Sequence, residues 1–269
     1  MWWVVALNFY IAAGAATVAW AHACRLAAAS GRPVAPEATV LAVVVFLGTL
    51  GVYNLGRVAA GMQAAAEASP RRRWIAKHPR AVHRLGKWSA IAGGVLGIVL
   101  LPPTVLGTLA AAGAVAGGYY LCLRRVPGIK PLTVGVAWGL ATAVAPAALT
   151  GADWGSIPVI RLSVSTALFI AGLTLPFDIR DAQDDRQQGL ATLATTAGPG
   201  TVRVVASIVL ALAGAFAGYD HAAGWAAIAA VCVALLASPR RPDAFYSVGL
   251  DGLVFAWAAA TWADAILVP

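Results

Sequence analysis

Runs of about twenty apolar residues without an interrupting charge recur along this chain of 269 residues. A run of that length constrains the fold more than any other feature. It matches the hydrocarbon thickness of a bilayer, and a helix satisfies its backbone hydrogen bonds without water. Charged residues make up only 11% of the chain, and the mean hydropathy is +0.78. A soluble domain carries about a quarter charged residues. The expected fold is therefore all-α, a polytopic membrane protein. Nine transmembrane helices are read, at about 2–24, 37–60, 86–102, 104–123, 131–150, 157–177, 201–219, 222–238 and 246–267. Pro102-Pro103, Pro127-Gly128, Gly198-Pro199-Gly200 and Pro239 with Pro242 punctuate the joints. Gly and Ala within the runs allow close helix packing in lipid. With no repeat and no composition break, residues 1–269 read as a single integral membrane domain.

The net charge of +8 does not point to nucleic acid, because the basic residues sit in short joints between apolar runs. With nine spans, every Lys and Arg except Arg25, Arg32 and Arg161 falls on one face. Positive residues mark the cytoplasmic side. The N-terminus is then expected in the cytoplasm and the C-terminus outside, in the inner or plasma membrane of a prokaryotic cell. MWWVVALNFY has no basic n-region, so the first helix is expected to be retained rather than cleaved. Cys24, Cys122 and Cys232 lie in separate apolar runs and read as core residues. The four histidines show no ligand spacing.

Against this background, PFDIRDAQDDRQQGLATL, residues 176–193, gathers four of the eleven carboxylates. Pro176 interrupts the helical pattern, and the acids are expected in the loop beyond it. If helix resumes there, Asp181 and Asp185 share a face, with Asp178 and Asp184 adjoining. Like charges so spaced repel, so the cluster makes sense around a divalent cation. Mg2+ takes one or two carboxylates and fills its shell with water and phosphate oxygens. The bland alternative is a solvated loop in which Arg180 and Arg186 pair with the acids. Gly189 would let the chain turn away.

The segment DIRDAQDDRQQGLATL resembles the second aspartate-rich motif, DxxxDxxxG, of the UbiA superfamily of intramembrane prenyltransferases. Asp181, Asp185 and Gly189 occupy it, with Asp178 upstream and Thr192-Leu193 downstream. The resemblance implies a helical bundle around a central cavity open toward the cytoplasmic side. It implies Mg2+ as cofactor and a prenyl diphosphate as substrate. Diphosphate departs, and a lipophilic or aromatic acceptor captures the allylic cation. On that basis Asp181 and Asp185 are the catalytic residues, and Asp178, Asp181 and Asp185 the metal ligands. Asn54, Arg57, Arg124, Lys130 and Arg180 are the diphosphate contacts. Membrane lipids surround the chain, and neither nucleic acid nor an obligate protein partner is expected.

The family's first motif, NxxxDxxxD, falls on YNLGRVAAGM. Asn54 leads it, but Val58 and Met62 stand at the acid positions, and Glu67 is out of register. Three readings stay open: one Mg2+ at the second motif aided by Arg57, a cyclase that needs no acceptor, or a non-catalytic isoprenoid-binding protein. The basic loop EASPRRRWIAKHPRAVHRLGK reads first as a headgroup-contacting segment, and otherwise as a cap over diphosphate through Arg71, Arg72 or Arg73. Trp74 reads as an interfacial anchor. Tyr53, Tyr119, Tyr120, Trp138 and Phe177 are candidate cation-facing rings. Asn8 and Asp251 must face protein or cavity, since polar groups in apolar spans avoid lipid.

Overall fold

The computed structural model describes residues 8–59, 70–187, 189–218 and 221–267. Met62 and Glu67 lie outside them, as do the side chains of Arg71, Arg72 and Arg125. Among the described residues the structure is helical, with no strand. Helix α1 spans Phe9–Ala29, α2 Glu37–Ala59, α3 Pro70–Lys77, α4 Pro79–Leu100 and α5 Pro103–Leu121. A short 3-10 turn, Leu123–Arg125, leads to α6, Ile129–Thr150. Then follow α7 (Ile157–Gln187), α8 (Leu193–Thr196), α9 (Gly198–Ala217), α10 (Ala222–Leu235) and α11 (Phe245–Leu267). Helices α6 and α11 each contain a π-helical turn, at Leu140–Val144 and Phe245–Leu250.

Among the described residues six helices, α2, α5, α6, α7, α9 and α11, are long and apolar enough to cross a membrane. The other three expected spans coincide with α1, α4 and α10, and physical reasons separate them. His22 and Arg25 dilute α1, while α4 opens on Arg80, His83, Arg84 and Lys87. Helix α10 has only 14 residues. The expected polar loop is also different: residues 70–77 and 79–87 are helical. Pro70 and Pro79 each open a helix, where a missing N–H costs nothing. Trp74 there stacks on His78, with ring centroids 4.6 Å apart.

Pro176 does not end the sixth span. Helix α7 runs 31 residues straight through it. At 1.5 Å per residue the first twenty or so residues fill about 30 Å, so Asp178 to Asp185 ride on a helical extension rather than a loop. Proline inside a membrane helix is tolerated where surrounding groups re-satisfy the freed carbonyl. The extension ends at Gly189, whose φ of 67° suits glycine. Gly189 N–H donates to Arg186 O at 3.1 Å and Leu190 N–H to Asp185 O at 2.8 Å, a Schellman closure.

Helix α2 packs on α4, α7 on α9 and α6, and α1 on α11. Gly135 of α6 sits so close to Ala167 of α7 that an added Cβ would overlap the Ala167 carbonyl. Phe169 and Trp257 stack at 4.3 Å and join α7 to α11 in the core. Outward positions are apolar: Ile98 is 72% exposed and Trp225 65%, a surface suited to lipid rather than water.

Candidate functional site

One end of the bundle gathers the charge. There the end of α2, the 3-10 turn, the start of α6, the extension of α7 and the start of α11 surround a cavity of about 690 Å3. Toward the opposite end its walls are small and apolar, including Gly93, Gly97, Leu106, Ala110 and Gly113. Asp178, three residues before Asp181 and seven before Asp185, faces the same way on α7, and all three line the cavity. Asp184 does not.

Two of the acids, Asp178 and Asp181, are already engaged by cations. Asp178 is 3% exposed, and Lys130 Nζ, from the first turn of α6, donates to its Oδ1 at 2.6 Å. Gly128, with φ 71°, starts that helix and directs the lysine inward. Arg180 Nε and Nη2 donate to the two oxygens of Asp181 at 2.8 and 3.0 Å. This fork geometry is the strong, orienting form of the pair. The Arg180 guanidinium also lies over Phe177 at 4.9 Å and Tyr246 at 5.6 Å. Arg57 faces Tyr120, Arg180 and Asp181 from the end of α2. Arg124 stands beside Tyr119 and Tyr120.

Of the eight residues expected at the site, seven line one cavity: Arg57, Arg124, Lys130, Asp178, Arg180, Asp181 and Asp185. Asn54 is absent from its lining. It is fully buried, accepts from Asn8 Nδ2 at 3.0 Å and donates to Leu50 O at 2.8 Å. Asn8 lines the cavity in its place. Val58, at the first motif's acid position, is partly buried. Tyr53 and Trp138 meet across the wall, with Trp138 Nε1 donating to Tyr53 Oη at 3.4 Å. Asp251 also lines the cavity. Its only sequence signal was an acid in an apolar run.

The donor set bears on Mg2+. Among the described residues no group of three or more His, Cys, Asp or Glu side chains is placed to cage a metal. Asp178 is bound by Lys130. Asp181, which Arg180 also engages, and Asp185 lie one helical turn apart on the cavity wall. That pair fits a single ion whose other positions go to water and phosphate oxygens.

A family model described as the UbiA prenyltransferase family matches residues 71–243, well over half of the chain. The chain belongs to that family. The match begins after Asn54, Arg57 and Val58, and so covers the second motif without the first. Solved structures of UbiA homologues share the fold across nearly the whole chain. One from Archaeoglobus fulgidus, bound to GPP and Mg2+, aligns over 100% of both chains with a TM-score of 0.66 and 12% identity. An apo homologue from Aeropyrum pernix K1 aligns over 95% of this chain and 97% of its own, with a TM-score of 0.61 and 17% identity. A digeranylgeranylglyceryl phosphate synthase gives 0.61 and 16% over 98% and 99%. Among curated proteins no match is found. Six apolar spans and membership of the UbiA family identify an integral membrane protein.

Proposed function

We propose that this UbiA-family chain is an intramembrane prenyltransferase that binds a prenyl diphosphate and passes its prenyl group to a lipophilic or aromatic acceptor. One observation carries the reading: a single cavity has a cationic, carboxylate-bearing end and a small-residue apolar end. That is the shape of a molecule with a charged head and a hydrocarbon tail. The homologue bound to GPP and Mg2+ shares the fold and supports the same class of substrate.

In this reading Lys130, Arg57, Arg124 and Arg180 take the diphosphate oxygens. Asp178 fixes Lys130 and Asp181 fixes Arg180, so both cations are oriented before the ligand arrives. Preorganised charges in a water-poor site stabilise a developing anion without reorganisation. The apolar walls hold the chain and keep water from the allylic carbon. Phe177, Tyr119 and Tyr120 place rings near the charged end, where a ring face favours a cation. Asp181 and Asp185 would hold one Mg2+. When bound, it adds positive charge against the leaving diphosphate. Residues 1–269 form one membrane domain, with the charged end facing the cytoplasm and the C-terminus outside.

The test is release of diphosphate from labelled geranyl diphosphate in membranes containing the protein. Release that depends on an added acceptor is expected. Release without acceptor would assign cyclisation instead, and no release from any prenyl diphosphate would overturn the enzymatic reading.

A further inference from the structure

Among the described residues, Asp251 is the one acid lining the cavity that does not come from α7. It follows directly on the π-helical turn Phe245–Leu250 of α11. Such turns re-aim side chains and recur at functional positions. The neighbouring wall is apolar, with Val254 one turn further along. Among the described residues its carboxylate makes no hydrogen bond and no ion pair within contact distance. The groups that face it are Arg180 of α7, Arg57 and Tyr53 of α2 and Tyr10 of α1. The acids of α7 behave differently, since Asp178 and Asp181 are each closed by a cation.

A carboxylate on the wall of an intramembrane cavity without a direct hydrogen-bond or ion-pair partner is costly. Its missing partner is a hydrogen-bond donor that arrives through the cavity. The diphosphate is not that donor, because it bears only acceptor oxygens at neutral pH and would be repelled. With Mg2+ assigned to Asp181 and Asp185 on α7, the occupant left for Asp251 is the prenyl acceptor. Resting on the reading above, we infer that Asp251 binds and deprotonates the acceptor, which therefore carries an O–H or N–H group. The acceptor's lone pair forms the new bond to the allylic carbon. The carbon–oxygen bond to diphosphate breaks and its electron pair leaves with diphosphate. The proton released from the acceptor passes to Asp251. Arg57 and Arg180, which face Asp251, supply positive charge against both negative groups.

The experiment uses full-length protein in detergent and two probes of equal tail, 4-octylphenol and its methyl ether 4-octylanisole. They differ only in the O–H. Binding of each is measured in the presence of geranyl diphosphate. Wild type is expected to prefer the phenol by about tenfold, the scale of one charge-assisted hydrogen bond. Asp251→Leu is expected to lose that preference while geranyl diphosphate binding is not weakened, since a negative charge has been removed. Asp251→Asn is expected to bind the phenol yet lose prenyl transfer to it. No preference in wild type, or a preference that survives in Asp251→Leu, would overturn the assignment. Failure of wild type to bind geranyl diphosphate at all would instead sink the prenyltransferase reading on which it rests.

Discussion

Lys130 and Asp178 show how a charge pair can serve position more than stability. Asp178 is almost fully buried, so removing its partner leaves a carboxylate with neither water nor cation. Lys130→Met is expected to cost on the order of 3 kcal/mol in stability, read as a fall in thermal unfolding temperature in detergent. The double variant Lys130→Met with Asp178→Leu should recover most of that loss, because the stranded charge is gone. It should not recover geranyl diphosphate binding, since the cation is still missing. Equal binding by the double variant and wild type would show that Lys130 only pairs with Asp178. At this scale the sequence was informative about which residues meet but not about how. Of the eight residues that the motif and the family resemblance named, seven line the cavity. That Asp178 is spent on Lys130, or Asn54 on Asn8, depends on contacts 48 and 46 residues apart in sequence. No local pattern encodes such contacts.

Helix α7 is the element on which the site depends. Its acids are placed by length: a span that outruns the bilayer carries them to the cavity mouth on a rigid rod. Pro176 read as a break because proline ends helices in water, whereas neighbours in a membrane bundle absorb the lost hydrogen bond. The basic stretch around residues 70–87 was misread for the converse reason. Its charge suggested loop, but Pro70 and Pro79 were helix starts. The α6–α7 contact that positions Lys130 against Asp178 needs Gly135. Gly135→Val is expected to push the helices apart, cost about 1–3 kcal/mol by overpacking, and weaken geranyl diphosphate binding with it. An unchanged unfolding temperature would contradict the tight contact. At the other end of the bundle Asp264 of α11 accepts from Ala222 N–H at 2.7 Å and Ala223 N–H at 3.3 Å, capping α10. Asp264→Ala should lower stability by about 1 kcal/mol without changing ligand binding. Thermal unfolding and a binding titration on the same sample check both halves.

On the scale of the whole molecule, the two ends differ in chemistry. Arg32 donates to Thr150 O at 3.2 Å, and Arg25 pairs with Asp264, at the end away from the acids. Arg57, Arg124, Lys130 and Arg180 line the cavity at the end that carries the acids. If that end is cytoplasmic, a cysteine placed at Arg240 in a cysteine-free background is shielded from a membrane-impermeant thiol reagent in intact cells. One placed at Gly155 reacts. The reverse labelling pattern would invert the topology. The bundle and its membrane location were legible from hydropathy, because lipid imposes a length and a polarity on every span. The first motif was legible as a departure, with Val58 where an acid was expected. The most direct measurement is titration of geranyl diphosphate into purified protein with and without Mg2+, for wild type and for Asp181→Asn with Asp185→Asn. Wild type is expected to bind, and Mg2+ to tighten binding about tenfold or more, an enhancement the double variant loses. A double variant that binds as tightly as wild type in Mg2+ would contradict the assignment of the site.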